Sequence, residues 1–301
     1  MNREVARQLS QFGDLEHNVS FTTLTTFRVG GIAENVFYPR NVFGLTSAIA
    51  LCREEGIDYK VFGNGSNILP SDDVYSGLII KLTRYFIDYY IDDEYIHAQA
   101  GCSLIALSYK ALECSLSGLE FANGIPATLG GAIYMNAGAY KCEMSEVVEE
   151  VQVLCGDDLI WFDKDQCQFA YRSSIFQRHP EWTIVACKLH LKKGDHQTIE
   201  QLVKNRREKR SATQPLDFPS AGSTFRNTED TYAWKYIDEI GYRGKQIGGA
   251  RVSDKHSNFI INVDNAKASD VKQLSDEIRE KVREQFNVEL KMEVEKFNWK
   301  E

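Results

Sequence analysis

The stretch ANGIPATLGGAIYMNAG spans residues 122–138 and combines four glycines with few bulky side chains. A backbone of this kind can closely approach a flat ring system or a phosphate, because glycine carries no Cβ. Pro126 stiffens the middle of the stretch. The residues after Thr128 are expected to begin a helix, whose first N–H groups favour an anion. A glycine-lined crossover that serves only packing explains the stretch equally well.

A second glycine-rich string, GNGSN at residues 63–67, lies between the apolar segments YKVF and ILP. These flanks predict a tight turn between two strands, which excludes the strand-to-helix elbow of the usual dinucleotide fingerprint. Consecutive small residues can turn successive backbone N–H groups toward one pyrophosphate, and Ser66 and Asn67 add side-chain donors. A plain hairpin turn is the alternative. Neither string matches the P-loop pattern, so the two together indicate a different cofactor fold.

The composition is that of a globular enzyme with room for two domains: 301 residues, 43% hydrophobic and 26% charged. A net charge of -8 argues against a protein that coats nucleic acid or an anionic membrane. No apolar run approaches the roughly 20 residues of a membrane span, and the N-terminus lacks a signal peptide pattern. We therefore expect a cytoplasmic protein. The seven cysteines show no zinc-ligand spacing, so we expect reduced thiols and no metal site.

The pattern of short strands interleaved with amphipathic helices predicts an α+β fold. The polar patch KKGDHQT at residues 192–198 marks a boundary between two domains. The last long helix is predicted over 269–285, with Val271, Leu274, Ile278 and Val282 on one apolar stripe. Ser269 is its expected N-cap.

Six strings in this order resemble one family: TTFRVGG at 25–31, GNGSN at 63–67, GLEFANGIPATLGGAIYMNAGAY at 118–140, YRSSIFQ at 171–177, PSAGSTFRN at 219–227 and KHSNFIIN at 255–262. The chain resembles the UDP-N-acetylenolpyruvoylglucosamine reductase (MurB) family from about Thr22 to Glu293. The resemblance implies an FAD-binding domain of the vanillyl-alcohol-oxidase (PCMH) type and a C-terminal α+β substrate domain that closes over the flavin. The expected ranges are 1–24 for a helix and lead-in, 25–193 for the FAD-binding domain and 194–301 for the substrate-binding domain.

The resemblance also implies a reaction in peptidoglycan precursor synthesis. The enolpyruvyl ether of UDP-N-acetylglucosamine is reduced to UDP-N-acetylmuramate, with NADPH as the reductant and non-covalent FAD as the carrier. The short run between Arg172 and Gly194 suggests the form of the family that lacks an inserted tyrosine-bearing loop. We expect a monomer that binds no nucleic acid.

Three catalytic residues carry over from the family's motifs. Ser223 matches the proton donor, Arg172 matches an arginine whose planar fork suits a carboxylate of growing charge, and Glu293 matches a glutamate that stabilises the enolic intermediate. Tyr171 and Asn227 match substrate contacts. The expected FAD contacts lie in the two glycine-rich strings: Gly63, Asn64, Gly65, Ser66, Asn67, Gly124, Ile125, Pro126, Ala127, Thr128, Gly130, Gly131 and Ala132.

The sequence departs from the family's pattern at three places. Met292 stands where proline usually precedes the glutamate, and Thr213 stands where a lysine often precedes the Gln-Pro pair. Ala127 replaces a common glycine, which requires a negative φ at that residue. The basic run Lys204, Arg206, Arg207, Lys209 and Arg210 is either a solvated helix face or a set of phosphate ligands.

Two other functions are compatible with the same fold. A sugar or alcohol oxidase would pass electrons from flavin to oxygen, and a nucleotide-sugar sensor would bind without turnover. The set of Ser223, Arg172 and Glu293 favours the reductase over both.

Overall fold

The computed structural model describes Met1–Lys300, and the chain forms two compact units that are interleaved in sequence. Unit 1 comprises Met1–His17, Asn35–Asn64 and Gly77–Lys209, and unit 2 comprises Asn18–Glu34, Gly65–Ser76 and Arg210–Glu301. The domains predicted from the sequence are continuous ranges instead, so segments 18–34 and 65–76 fall outside the expected substrate-binding range. The predicted α+β class is confirmed.

The helices have the following bounds: α1 Arg3–Phe12, α2 Phe21–Leu24, α3 Val42–Glu54, α4 Leu104–Glu113, α5 Leu129–Tyr134, α6 His196–Thr213, α7 Ala233–Glu239 and α8 Ala268–Phe286. Side chains just before several helices accept hydrogen bonds from their first N–H groups, as Asn41 does for Gly44 before α3 and Ser103 does for Ala106 before α4. Within the described residues, no helix is long and apolar enough to cross a membrane.

The strands have the following bounds: β1 Gly13–Ser20, β2 Ile32–Pro39, β3 Tyr59–Phe62, β4 Ile68–Pro70, β5 Tyr75–Lys81, β6 Tyr89–Asp92, β7 Tyr95–Gln99, β8 Leu116–Ser117, β9 Gly138–Ala139, β10 Cys142–Glu143, β11 Val148–Cys155, β12 Asp158–Asp163, β13 Thr183–His190, β14 Lys192–Lys193, β15 Gln246–Ile247, β16 Ala250–Val252, β17 Ile260–Asn262 and β18 Glu295–Phe297. One four-stranded sheet has the order β1-β2-β5-β3, and β3 and β5 pair in parallel.

Unit 1 is built around an antiparallel sheet with the order β12-β11-β13-β7-β6. Its central strand β13 buries alternate side chains such as Val185, Cys187 and Leu189, because successive residues of a strand face opposite sides. These residues share one apolar core with Leu104 and Leu107 of α4. The close packing of this core fixes the loops that leave the sheet.

Unit 2 is built around α8 and the short sheet β15-β16-β17. The predicted stripe of α8 is confirmed, since Val271, Leu274, Ile278 and Val282 are each at most 1% exposed. The parallel pair β18–β4 adds the C-terminal segment to the same unit. This pairing brings residues 291–297 beside the segment that follows the first glycine-rich turn.

The predicted N-cap of α8 is wrong. The helix begins at Ala268, and the carboxylate of Asp72 accepts hydrogen bonds from the N–H groups of Ala268 (2.8 Å) and Ser269 (2.9 Å). An acceptor from a distant segment thus satisfies donors for which the sequence offers Ser269 as a local cap. The neighbouring backbone requires glycine at position 31, since a Cβ there would overlap the carbonyl oxygens of Asp72 and Asp73.

Candidate active site

The first glycine-rich turn connects β3 to β4, so the predicted strand-to-strand turn is confirmed. In unit 1, a Cβ on Gly63 would overlap Oγ1 of Thr128, and the side-chain amide of Asn64 donates to the carbonyl oxygen of Pro126 at 3.1 Å. The sequence separated these two glycine-rich strings by some sixty residues, and the structure joins them through these contacts. The closeness of the Thr128 side chain explains why residue 63 carries no side chain.

The second glycine-rich stretch leads into α5. Thr128 is the N-cap, and its Oγ1 accepts from the N–H of Gly131 at 3.2 Å. The N–H of Gly130 donates to the carbonyl oxygen of Ala100 at 2.8 Å, and a Cβ on Gly130 would lie 2.9 Å from the Cβ of Ala100. Ala127 keeps a negative φ, so the methyl group that replaces the family's glycine is tolerated. Gly63 and Gly130 therefore both serve close packing.

The residues of unit 1 present donors that suit an anionic cofactor. Within residues 1–300, the backbone N–H groups of Asn64 and Gly124 donate no hydrogen bond to a protein atom. Both N–H groups lie in the two segments that the Asn64–Pro126 contact joins. Unpaired backbone donors in a loop with little side-chain cover fit the phosphate groups of FAD.

Gly65, Ser66 and Asn67 belong to unit 2. Gly65 has a φ of +62°, and a Cβ there would lie 2.5 Å from the carbonyl oxygen of Leu24. The side-chain amide of Asn67 donates to the carbonyl oxygen of Glu293 at 3.0 Å. The backbone carbonyl oxygen of Asn67 accepts from the N–H of Glu295 at 2.9 Å. Asn67, predicted as a cofactor contact, thus holds the C-terminal segment that carries Glu293.

Ser223 lies in a segment of unit 2 that hydrogen bonds anchor on its C-terminal side. Gly222 before it has a φ of +80°, which favours glycine. The next residue, Thr224, donates its N–H to the carbonyl oxygen of Asn258 at 2.7 Å. The side chain of Asn258 contacts both the N–H (3.0 Å) and the carbonyl oxygen (2.8 Å) of Phe225. The backbone that follows Ser223 is therefore fixed, while its side chain is partly exposed.

Glu293 is brought close to this segment. Phe225 forms an antiparallel bridge with Met292, and the N–H of Glu293 donates to the carbonyl oxygen of Thr224 at 2.8 Å. The bonds of this bridge use the N–H groups of Arg226 and Glu293 and not that of Met292. Proline is therefore compatible with position 292, and the departure at Met292 leaves the placement of Glu293 intact.

Arg226 is a charged neighbour of Glu293 that sequence reasoning missed. Its Nε lies 3.5 Å from Oε2 of Glu293, and the two side chains are 30% and 14% exposed. Partial burial strengthens the attraction of such a pair relative to water. The sequence shows an arginine three positions after Ser223. Its partner Glu293 lies far away in sequence, so the pair could not be predicted.

Arg172 and Tyr171 form the tip of a turn in unit 1. Arg172 has a φ of +52°, and its Nη2 donates to the carbonyl oxygen of Gly138 at 2.8 Å. Its guanidinium also lies 4.9 Å from the centre of the Tyr171 ring, which is itself 51% exposed. The guanidinium is thus bound to the backbone at the C-terminal end of the second glycine-rich stretch.

The remaining predicted residues have structural contacts. Asn227 is exposed, and its Oδ1 accepts from the N–H of Ala233 at 3.2 Å, at the first residue of α7. In the basic run, Lys204, Arg207 and Lys209 are exposed, whereas Arg206 and Arg210 are half-buried. The hydroxyl of Tyr140 donates to the carbonyl oxygen of Arg206 at 2.8 Å.

The structure therefore groups the predicted residues in two sets. Unit 1 holds Gly63, Asn64, the stretch 124–132, Tyr171 and Arg172, and unit 2 holds Gly65, Ser66, Asn67, Ser223, Asn227 and Glu293. Within unit 2, backbone hydrogen bonds bring the segments of Asn67, Ser223 and Glu293 together. Unit 2 thus places Ser223 next in sequence to Thr224, whose carbonyl oxygen binds the N–H of Glu293, and places the Glu293 carboxylate 3.5 Å from Nε of Arg226.

Two family models match separate parts of the chain. The family model described as an FAD binding domain matches residues 33–161. The C-terminal domain model of UDP-N-acetylenolpyruvoylglucosamine reductase matches residues 214–297. The fold alone is shared with Phl p 4.0202, a glucose dehydrogenase that is 15% identical, with a TM-score of 0.50 and coverage of 64% of this chain and 45% of that one.

Relatives match over almost the whole chain. UDP-N-acetylenolpyruvoylglucosamine reductase of Anoxybacillus flavithermus is 38% identical, covering 94% of each chain, and that of Fervidobacterium nodosum is 39% identical, covering 98% of this chain and 96% of the relative. The crystal structure of UDP-N-acetylenolpyruvylglucosamine reductase (MurB) from Thermus caldophilus is 31% identical with a TM-score of 0.83, covering 95% of this chain and 100% of that one. The chain therefore belongs to the UDP-N-acetylenolpyruvoylglucosamine reductase family.

Proposed function

We propose that the chain reduces the enolpyruvyl ether of UDP-N-acetylglucosamine to UDP-N-acetylmuramate, with FAD as its cofactor and NADPH as reductant, and that Ser223, Arg172 and Glu293 carry the reaction. The observation that carries this proposal is the hydrogen bond from the N–H of Glu293 to the carbonyl oxygen of Thr224, which brings the segments of Ser223 and Glu293 side by side. Membership of the family supplies the substrate class and the place of the reaction in peptidoglycan precursor synthesis.

The chemical difficulty is that an enol ether is rich in electrons and resists hydride addition. Addition becomes feasible because the adjacent carboxylate can take up the developing negative charge as an enediolate. Groups that stabilise this charge, and a group that then delivers a proton, must therefore act on the same substrate.

Ser223 delivers the proton to the carbon that bears the carboxylate. A serine hydroxyl is a weak acid, but a carbanionic carbon is a strong enough base to accept its proton when the two are held in place. The anchoring of Thr224 and Phe225 by Asn258 holds the backbone around Ser223. The position of its hydroxyl is thereby constrained before substrate binds.

Arg172 stabilises the growing charge of the substrate carboxylate, since a guanidinium fork can donate two parallel hydrogen bonds. Glu293 contributes to the enolic intermediate. The Nε atom of Arg226 lies 3.5 Å from Oε2 of Glu293, so the two opposite charges lie side by side.

Segments 63–67 and 124–132 would hold FAD, and the basis for this assignment is the pair of unpaired N–H groups at Asn64 and Gly124. Bound there, FAD would supply hydride transfer from NADPH to the enolpyruvyl group. We assign cofactor binding to residues 25–193 and substrate binding to residues 194–301, except that segments 18–34 and 65–76 pack with the latter in unit 2. Tyr171 and Asn227 are retained as substrate contacts. We also infer a cytoplasmic monomer.

The test is an anaerobic stopped-flow measurement that separates reduction of the flavin by NADPH from its reoxidation by the enolpyruvyl substrate. We expect Ser223→Ala to leave reduction nearly normal and to slow reoxidation by about 10²-fold or more, the scale of a lost proton-transfer group. Ser220→Ala is the matched control, because Ser220 lies in the same loop and contributes its backbone carbonyl to Thr26.

Equal slowing of both half-reactions by Ser223→Ala would refute the role of Ser223. A sugar or alcohol oxidase would instead be bleached by an alcohol and recoloured by air. Protein that stays colourless after FAD is added would contradict the proposed reductase activity and favour the nucleotide-sugar sensor.

A further inference from the structure

Left-handed backbone conformations recur around Arg172 in unit 1, and those of Tyr140 and Lys141 form the two-residue turn of the β9–β10 hairpin. Four non-glycine residues of this region have φ values in the left-handed range: Asn136 (43°), Tyr140 (57°), Lys141 (66°) and Arg172 (52°). Such conformations persist only where the surrounding contacts determine them, and they are often found at functional sites. The contacts of these residues therefore indicate what the region is built to hold.

The backbone of Arg172 is fixed by its own turn and by the segment after α5. Ala170 and Ser173 exchange two backbone hydrogen bonds of 3.0 Å, which close the turn around Tyr171 and Arg172. The side-chain amide of Gln177 donates to the carbonyl oxygen of Arg172 at 3.2 Å. The same nitrogen donates to the carbonyl oxygen of Tyr134 at 3.1 Å. Gln177 thus connects the turn to the end of α5.

The guanidinium of Arg172 lies against two carbonyl oxygens of one short segment. Its Nη2 donates to the carbonyl oxygen of Gly138 at 2.8 Å, and its Nη1 lies 3.5 Å from that of Asn136. A guanidinium carries its donors in a rigid plane, so two acceptors on one side fix the direction in which the plane faces. The conformation of residues 136–138 therefore sets the orientation of Arg172.

Asn136 determines that conformation. Its side chain is fully buried, at 0% exposure. Its Nδ2 donates to the carbonyl oxygen of Ala170 at 2.9 Å, and its Oδ1 accepts from the N–H of Ser145 at 2.9 Å. One amide thus connects the base of the Arg172 turn, the segment whose carbonyls bind the guanidinium, and the short helical turn that begins at Met144.

From these contacts we propose that Asn136 is a positioning residue for Arg172, a role that rests on the proposed function of Arg172 in the reaction. The buried amide ties the position of the turn to that of the two carbonyl acceptors. Loss of the amide would let the guanidinium shift relative to the substrate carboxylate. A shift of about 1 Å in a catalytic group costs roughly 10²-fold in rate.

The test uses holoenzyme and two variants. Asn136→Gly keeps the left-handed backbone without strain and removes both amide hydrogen bonds. Asn136→Asp keeps the shape and the acceptor for Ser145 but loses the donor to Ala170. The matched control is Asn265→Gly, because Asn265 also has a positive φ of 44° but is exposed in unit 2. Retention of the flavin spectrum and the thermal transition establishes that each variant is folded.

We expect Asn136→Gly to slow reoxidation by the enolpyruvyl substrate by about 10²-fold and to leave reduction by NADPH within about threefold. Asn136→Asp is expected to show the same selectivity with a comparable loss, because its buried carboxylate faces the carbonyl oxygen of Ala170. When Arg172→Met is already present, adding Asn136→Gly should slow reoxidation by less than about threefold relative to Arg172→Met alone. The effects of two residues that act through one another are not additive.

Three outcomes would overturn the proposal, and they are distinguishable. Equal slowing of both half-reactions by both Asn136 variants would assign Asn136 to general support of the fold. An undiminished effect in the Arg172→Met background would show that Asn136 acts independently of Arg172. Normal reoxidation in Arg172→Met itself would refute the proposed role of Arg172, whatever Asn136 does.

Discussion

Asp72 is expected to stabilise unit 2 through α8, which carries much of that unit's core. Its two carboxylate oxygens accept from the N–H groups of Ala268 and Ser269 at 2.8 and 2.9 Å. Replacing an acidic or polar N-cap by alanine costs about 0.5–2 kcal/mol, and a negative charge at a helix N-terminus adds about 0.3–1 kcal/mol. Because Asp72 is exposed, we expect Asp72→Ala to lower the free energy of unfolding by about 1.5 kcal/mol.

Urea and thermal denaturation measure this loss, which corresponds to a fall in Tm of roughly 3 °C for a chain of this size. Hydrogen exchange should show faster exchange of the Ala268 and Ser269 amides, because local opening then requires less free energy. Asp72→Asn keeps one uncharged acceptor and should lose about half as much, about 0.7 kcal/mol.

The control is Asp73→Ala, since Asp73 is the adjacent residue and its carboxylate makes a long ion pair with exposed Lys300 at 3.6 Å. A surface ion pair contributes about 0–1 kcal/mol, so this variant should resemble the wild type. Equal losses in Asp72→Ala and Asp73→Ala would refute the reasoning, because the hydrogen bonds to α8 would then contribute nothing of their own.

Three further outcomes follow from single sites. Gly222→Ala should cost about 1 kcal/mol in urea unfolding and slow substrate reoxidation, because φ is +80° while an added Cβ meets no protein atom within 4 Å; wild-type values for both would contradict this. Burial lowers the pKa of Lys81 from 10.5 to about 8, so the unfolded chain binds more protons between those values and stability rises with pH. The free energy of unfolding of the wild type should rise by about 2 kcal/mol relative to that of Lys81→Met between pH 7 and pH 10. Parallel pH profiles of the two proteins would contradict the lowered pKa of Lys81. A double-mutant cycle of Arg226→Gln and Glu293→Gln should show a coupling free energy of about 1 kcal/mol, and additive losses would show that the pair contributes nothing.

The regular elements of unit 1 were predictable because their signals are local. Strands β7 and β13 bury alternate residues over much of their length, so they show a period of two in their own sequence. The stripe of α8 was predictable for the same reason, with a period near 3.6. The family and cofactor class were predictable because six motifs occur in one order, and the comparisons confirm both.

The remaining features depend on contacts between distant parts of the chain. The cap of α8 is 196 residues from Ala268, so the local serine was the reasonable but wrong choice. The contact between Arg226 and Glu293 depends on the bridge between Phe225 and Met292, which no periodicity reveals. The roles of Ser223, Arg172 and Glu293 stay predictions that the half-reaction measurements address.

The interleaving of the two units has a consequence for biosynthesis. In unit 2, the carbonyl oxygen of Phe27 lies 3.5 Å from the side-chain amide of Asn262, and the carbonyl oxygen of Leu69 accepts from Trp299. Phe27, Val29 and Leu69 are core residues of this unit, yet their partners are translated about 10–40 s later at ordinary elongation rates. The apolar side chains of these early segments therefore stay exposed until their C-terminal partners have been synthesised. Chaperone dependence and sensitivity to C-terminal truncation are the expected cost of this chain order.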